Sequence, residues 1–167
     1  MNLFIFRHGL AVEPGTAGYD DAARPLTSEG KSKLKSIAAA MLKLELSFDL
    51  ILSSPYTRAR QTAEIVAERL KLSDKLEFSR LLEPQGSFAD LVSLIRKRAS
   101  ADNILLVGHE PYLSELISLL VFGQNQSVVV MKKAGLAKLA VTTLKAGRCA
   151  LLEWLMTPKQ MVLIGVN

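Results

Sequence analysis

The 167-residue chain predicts an α/β protein, a three-layer α/β/α sandwich around a mostly parallel central sheet. Three observations carry that prediction. Short apolar runs closed by turn residues alternate with stretches whose apolar residues recur at helical spacing. Neither internal repeats nor low-complexity tracts interrupt the alternation. Both histidines, His8 and His109, stand where an apolar run ends. Strands alternating with helices build parallel sheets covered on both faces.

The first strand is Asn2 to Phe6, an unbroken apolar run of the kind buried on both faces. Glu13 to Pro25, rich in Gly, Pro and Asp, reads as a loop. Thr27 then suits the N-cap of a helix whose apolar residues Leu34, Ile37, Ala38, Met41 and Leu42 keep helical spacing. A second strand, Phe48 to Leu52, is ended by Ser53-Ser54-Pro55. The next helix places Ala59, Ala63, Val66, Ala67 and Leu70 on one side. Leu76 to Phe78 reads as a short strand.

Ser87, with Asp90 three residues on, resembles a capping box and opens a helix carrying Phe88, Leu91, Val92 and Ile95 inward. Asn103 to Val107 is the next clear strand. Pro111 suits the first turn of a helix bearing Leu113, Leu116, Ile117 and Leu120. Two further strands fall near Leu136 to Thr142 and Ala150 to Leu155. The tail Met161-Val162-Leu163-Ile164 reads either as an edge strand or as a segment docked on the core. Trp154, Phe122 and the methionines are expected to fill the interior.

Composition bounds the setting. A hydrophobic content of 49% excludes a largely disordered chain, and the length suits one domain over residues 1–167. The single cysteine, Cys149, cannot form an internal disulfide; it reads as a small buried residue and fits a reducing compartment. Arg7 interrupts the N-terminal apolar stretch before a signal-peptide core can form. The longest charge-free segment, Leu116 to Met131, is too short to span a bilayer. A cytoplasmic protein without membrane segments is expected.

The net charge of +5 comes from scattered basic residues. Arg96-Lys97-Arg98, the densest group, lies at a helix end, where cations favour the dipole. That pattern reads as a solvated basic surface that attracts acidic partners, not as a nucleic-acid groove. The sequence carries no signal for oligomeric state.

Open parallel sheets bind ligands beyond the carboxyl ends of their strands. Three such exits carry ionisable groups here. The first delivers Arg7 and His8, the second leads through Ser53-Ser54-Pro55-Tyr56-Thr57 to Arg58, and the third delivers Gly108-His109. Two guanidiniums and two imidazoles meeting at one point make a receptor for a tetrahedral oxyanion, and a phosphoryl group fits best. Helix N-termini after Pro55 and Pro111 are expected to add backbone donors. Ser53 and Ser54 read as caps for the helix after Pro55 or, alternatively, as residues lining the pocket. No Gly-x-Ser-x-Gly elbow is present, which argues against a serine hydrolase. Two separated histidines without a carboxylate cluster do not make a metal site, so neither metal nor cofactor is expected.

Arg7-His8-Gly9 after a first strand, Ser53-Ser54-Pro55 with Arg58-Ala59 and Gln61-Thr62-Ala63, and the late Gly108-His109 together resemble the histidine phosphatase superfamily, which includes the cofactor-dependent phosphoglycerate mutases. Arg24-Pro25-Leu26-Thr27 with Gly30, and Gly108-His109-Glu110-Pro111, look most like its SixA-type phosphohistidine phosphatases. The match runs in order to about Leu155.

The resemblance implies a phosphoglycerate mutase-like fold and metal-independent phosphatase activity. His8 would attack phosphorus and become phosphohistidine, which water then hydrolyses. Arg7, Arg58 and His109 would hold the phosphoryl oxygens. Many relatives carry a glutamate directly after Arg-His-Gly, where this chain has Leu10. Others use a carboxylate from the middle loop, and Glu83, in Leu82-Glu83-Pro84-Gln85-Gly86, matches that place, either as general acid or as a solvated loop carboxylate. Arg24 would line the phosphate pocket or pair with Asp20 or Asp21. Glu110 and Tyr112 would orient the loop after His109.

The implied substrate is phosphohistidine on a histidine-containing phosphotransfer protein, since no long insertion after Arg58 covers the site. A phosphatase for a small phosphorylated metabolite and a non-catalytic phosphate-binding module are the alternatives.

Overall fold

Side chains of β1 (Asn2–Arg7) alternate between two apolar layers, as those of a strand buried on both faces must. Leu3 and Ile5 enter one layer, while Phe4 and Phe6 enter the other. The computed structural model describes residues 1–98, 100–124 and 126–166. After β1 follow α1 (Ser28–Lys43), β2 (Leu50–Ser53), α2 (Thr57–Leu70), β3 (Leu76–Phe78), α3 (Phe88–Arg96), β4 (Asn103–Gly108), α4 (Tyr112–Phe122), β5 (Leu136–Val141), β6 (Ala150–Met156) and α5 (Pro158–Val166). Single 3-10 turns at Ser73–Lys75 and Arg80–Leu82 flank β3.

Among the described residues the six strands form one sheet in the order β3-β2-β4-β1-β5-β6. The pairs β2–β3, β2–β4 and β1–β4 are parallel, whereas β5 runs antiparallel to both β1 and β6. The sheet is therefore mostly parallel, and its helices form two outer layers. Leu91, Val92 and Ile95 of α3 and Leu113, Leu116, Ile117 and Leu120 of α4 pack on the Leu3–Ile5 side. Apolar residues of α1 and α2, with Met161 of α5, cover the Phe4–Phe6 side. The predicted α/β/α sandwich is the observed one.

Local signals account for most element starts. Thr27 accepts a hydrogen bond from the Gly30 amide at 3.0 Å, and Ser87 accepts one from the Asp90 amide at 3.2 Å. Both are the expected N-caps. Residues between Glu13 and Pro25 form no helix or strand, and a lone bridge pairs Ala11 with Leu26. Cys149 is buried.

Four expectations need correction. β2 starts at Leu50, so Phe48 is a buried residue ahead of the strand. Pro111 is the N-cap of α4, one position before its first turn. Phe122 is 54% exposed, because the inward stripe of α4 ends at Leu120 and Gly123 closes the helix in the left-handed conformation. Trp154 is half-buried against the α1–α2–α5 layer.

The tail takes the second of its two expected forms, a segment docked on the core, and does so as a helix. Thr157 and Gln160 cap its start reciprocally: the Gln160 side chain accepts from the Thr157 amide at 2.8 Å, and Thr157 Oγ1 accepts from the Gln160 amide at 3.4 Å. Pro158, the first helical residue, has no amide proton to satisfy. The helix packs along α1, where Lys43 donates to the Ile164 carbonyl at 3.1 Å.

A Cβ at Gly165 would stand 2.0 Å from the Ser36 carbonyl oxygen, so only glycine permits this approach. Gly165→Ala is expected to destabilise the chain by ~1–3 kcal/mol through overpacking. Urea unfolding followed by circular dichroism checks this.

Candidate active site

The strands β2, β4 and β1 are neighbours in the sheet, so their carboxyl ends open on one edge. The Arg7–Gly108 pair is the last rung of the β1–β4 ladder. Two further backbone bonds extend the pairing just past it: the His8 amide donates to the Gly108 carbonyl at 3.0 Å, and the Ser54 amide donates to the Val107 carbonyl at 2.9 Å. Three chain exits are thereby fixed to one another before any side chain is considered.

His8, Arg58 and His109 are all buried, at 5%, 3% and 1% exposure. Arg58 Nε donates to His8 Nε2 at 3.2 Å, and the two imidazole rings lie 5.2 Å apart. Arg7 is half-buried, and its Nη1 donates to the Met131 carbonyl at 2.7 Å. His8 thus stands against Arg58 and close to His109, and Arg7, next to His8 in the chain, is near enough for its charge to act on both imidazoles. The backbone around them is equally held. Ala134 donates to both the Arg7 and His8 carbonyls, and Thr62 of α2 accepts from the Gly9 amide at 3.0 Å while donating to the Arg58 carbonyl at 2.7 Å.

Protonation follows from this packing. The His8 ring nitrogens have distinct neighbours: Nδ1 lies 2.8 Å from the Gly9 carbonyl, and Nε2 faces the Arg58 N–H. A carbonyl can only accept, so Nδ1 carries the proton and Nε2 keeps its lone pair. Burial holds the His8 pKa well below the usual 6.5, against the Gly9 hydrogen bond and with the charges of His109, Arg58 and Arg7 adding to the effect. Burial, reinforced by Arg58, pushes His109 down to about 3. Both rings are neutral near pH 7.

Arg24 is connected to this group through Asp21, the aspartate that sequence reading offered as one of two partners. Asp21 Oδ1 accepts from Arg24 Nε and Nη2 at 2.9 and 2.7 Å, and its Oδ2 accepts from Arg58 Nη2 at 3.1 Å. Partial burial acts to raise the Asp21 pKa, but the Arg24 bonds and the Arg58 charge outweigh it and the net shift is downward. Glu83 stands outside this hydrogen-bonded group, on its flank. It lines a shallow neighbouring cleft of about 520 Å3 with Asp20, Pro55, Tyr56, Thr57 and Arg80. Among the described residues, no side-chain hydrogen bond or ion pair joins it to the four.

Glu110 orients its own loop by accepting from the Ser114 amide and hydroxyl. Tyr112 is buried beneath it, with no hydrogen-bond partner among the described residues. Helix-end amides contribute less than expected, because Thr57 N–H is taken by the Ala22 carbonyl and Ser114 N–H by Glu110. Ser54 does not cap α2, whose N-cap is Tyr56 without a side-chain bond. Its hydroxyl lies 2.8 Å from His109 Nε2. Tyr56 also went unnoticed in sequence. Its ring centroid is 5.1 Å from that of His109 and 5.2 Å from Arg58 Cζ.

Buried polar atoms without a partner are uncommon in proteins. Among the described residues there are three, and two belong to this cluster: Arg7 Nε and His109 Nδ1. A guanidinium N–H left over beside a second guanidinium is what an oxyanion receptor requires. No group of three or more His, Cys, Asp or Glu among the described residues is arranged to hold a metal ion. No described helix is long and apolar enough to cross a membrane.

The profile of the histidine phosphatase superfamily (branch 1) matches residues 3–87, which is half of the chain and includes Arg7, His8 and Arg58. The chain belongs to that superfamily. Phosphohistidine phosphatase SixA of Escherichia coli is 27% identical over 95% of this chain and 94% of its own. The SixA homolog of Haemophilus influenzae is 33% identical over 71% of this chain and 76% of its own. The solved structure of the protein histidine phosphatase SixA complexed with tungstate superposes with a TM-score of 0.82, at 25% identity over 95% of this chain and 98% of that one. This member is thus a phosphatase with the phosphoglycerate mutase-like fold of its superfamily.

The depressed histidines of this histidine phosphatase make its stability depend on pH. Unfolded, each imidazole titrates near ~6.5; folded, it binds a proton only at lower pH. Between those values the unfolded chain holds more protons, so stability is lost as pH falls below about 6.5. Unfolding free energy is expected to drop between about pH 6.5 and pH 5, with a shallower slope in His109→Gln. An unchanged slope would mean that His109 charges freely in the folded chain.

Proposed function

We propose that this histidine phosphatase hydrolyses phosphohistidine on a histidine-containing phosphotransfer protein, through a phosphohistidine formed on His8. The observation that carries the proposal is the tautomer of His8, a buried neutral ring whose Nε2 lone pair faces the cationic cluster. In the first step Nε2 bonds to phosphorus while the phosphorus–nitrogen bond of the substrate breaks, and the departing imidazole takes up a proton. In the second, water attacks phosphorus, the bond to His8 Nε2 breaks, and inorganic phosphate leaves with His8 neutral again. Arg7, Arg58 and His109 bind the phosphoryl oxygens in both steps, and Arg24 steadies Arg58 through Asp21. Phosphoryl transfer needs mainly positioning and charge stabilisation, which these groups supply.

A protein substrate is supported by the shallow cleft beside the site, which suits a folded surface better than it suits a small metabolite needing enclosure. It is supported also by the likeness to relatives named as phosphohistidine phosphatases. Glu83, on the wall of that cleft, is the proton donor for the leaving group. Phosphohistidine relaxes this requirement, because an imidazole protonates without strong acid assistance.

His8→Ala is expected to abolish turnover of p-nitrophenyl phosphate, and Arg58→Ala to lower it by about 10²–10³-fold. Glu83→Gln is expected to leave p-nitrophenyl phosphate, whose leaving group needs no proton, nearly untouched, while slowing an alkyl phosphate at least tenfold. Side-by-side rates on a phosphohistidine protein and on sugar and glycerate phosphates test the substrate class. Faster cleavage of a metabolite by orders of magnitude would reassign it.

A further inference from the structure

We propose that Ser54 is the positioning residue that keeps the proton of His109 on Nδ1, so that the second imidazole presents a hydrogen-bond donor to the phosphoryl group. The inference rests on the assignment of His109 to phosphoryl binding.

Ser54 is fully buried, and its amide is bonded to Val107, two residues before His109. Its hydroxyl has two neighbours, the Tyr56 amide at 3.3 Å and His109 Nε2 at 2.8 Å. An amide only donates, so it uses a lone pair of the hydroxyl and leaves the single hydroxyl proton to be given away. Given to Nε2, that proton makes Nε2 an acceptor and places the ring proton on Nδ1. Every polar atom is then matched except the Nδ1 donor itself, which is buried without a partner among the described residues.

The opposite tautomer leaves more unmet. Ser54 Oγ would receive two donors, its own proton would have no acceptor, and His109 Nδ1 would be a buried lone pair beside two guanidiniums. Leaving buried polar groups unsatisfied costs about 1–3 kcal/mol each, so the first arrangement is preferred. The choice matters because His109 is neutral. A neutral imidazole has one N–H, and with the proton on Nε2 it would turn a lone pair, not a donor, toward a phosphate oxygen. His8 and His109 thus share a tautomer but divide the work: the carbonyl of Gly9 frees a nucleophilic Nε2, and the hydroxyl of Ser54 frees a donating Nδ1.

The test is nitrogen-15 NMR of the histidine rings in the full-length wild-type protein at pH 7, read with kinetics on p-nitrophenyl phosphate. Wild type is expected to show His109 with a protonated, pyrrole-like Nδ1 and a pyridine-like Nε2. Ser54→Ala is expected to lose that assignment and at least tenfold in kcat, with KM changing less than threefold. Ser54→Thr, which keeps the hydroxyl, is expected to restore both. A wild-type proton on Nε2 overturns the inference and requires no variant to fold. So does a Ser54→Ala enzyme with unchanged kcat, or a Ser54→Thr enzyme as slow as alanine. His109→Ala with full activity would instead end the assignment of His109 to phosphoryl binding, so the two failures are distinguishable.

Discussion

The structure is organised around an excess of buried positive charge that the protein itself does not neutralise. Arg7 and Arg58 remain charged at any ordinary pH, and they stand beside two imidazoles at the mouth of a parallel sheet. Adding two imidazolium charges to that place would be prohibitive, and burial keeps both rings neutral. The one carboxylate that reaches Arg58, Asp21, is itself largely exposed and is shared with Arg24, so it offsets only part of the charge. What remains is a positive field with unpartnered buried polar atoms on Arg7 and His109, matched by a phosphoryl dianion. The sheet order serves this directly, since only neighbouring β2, β4 and β1 bring the three exits to one point.

Much of this was legible in the chain because strands buried on both faces are short apolar runs with abrupt ends. Arg7-His8-Gly9 and Gly108-His109 mark two of those ends, and Ser53-Ser54-Pro55 marks the third. The four central residues could therefore be placed together from position alone. Less visible were contacts made by backbone or by residues with an ordinary alternative explanation. The Met131 carbonyl that holds Arg7 has no side-chain signature. Thr62 looks like any small residue on a helix face, yet it ties Gly9 to Arg58. Ser54 was favoured as a cap over a pocket-lining residue because serine before a helix usually is one; here its hydroxyl serves His109. In the tail, the apolar run Met161 to Ile164 obscured a helix start already written in Thr157-Pro158-Lys159-Gln160.

Leu10 bears on the proton transfers of the proposed reaction. Directly after Gly9, its carbonyl accepts from the Thr27 amide at 3.0 Å, and its side chain lines an apolar cavity of about 400 Å3 rimmed by Lys33, Lys133 and Lys159. It is incapable of moving a proton. In the proposed reaction, acid assistance comes from Glu83 in the open cleft, or is unnecessary because the leaving group protonates itself. Phosphohistidine meets the second condition, so a leucine at position 10 fits the proposed substrate class.

The most direct measurement is rapid quenching of the enzyme with phosphohistidine substrate, followed by phosphorus NMR and peptide mapping under alkaline conditions that preserve phosphohistidine. Phosphate on Nε2 of His8, absent from His8→Ala, is the predicted result. Phosphate on another residue, or none under conditions where turnover proceeds, would contradict the arrangement on which everything else depends.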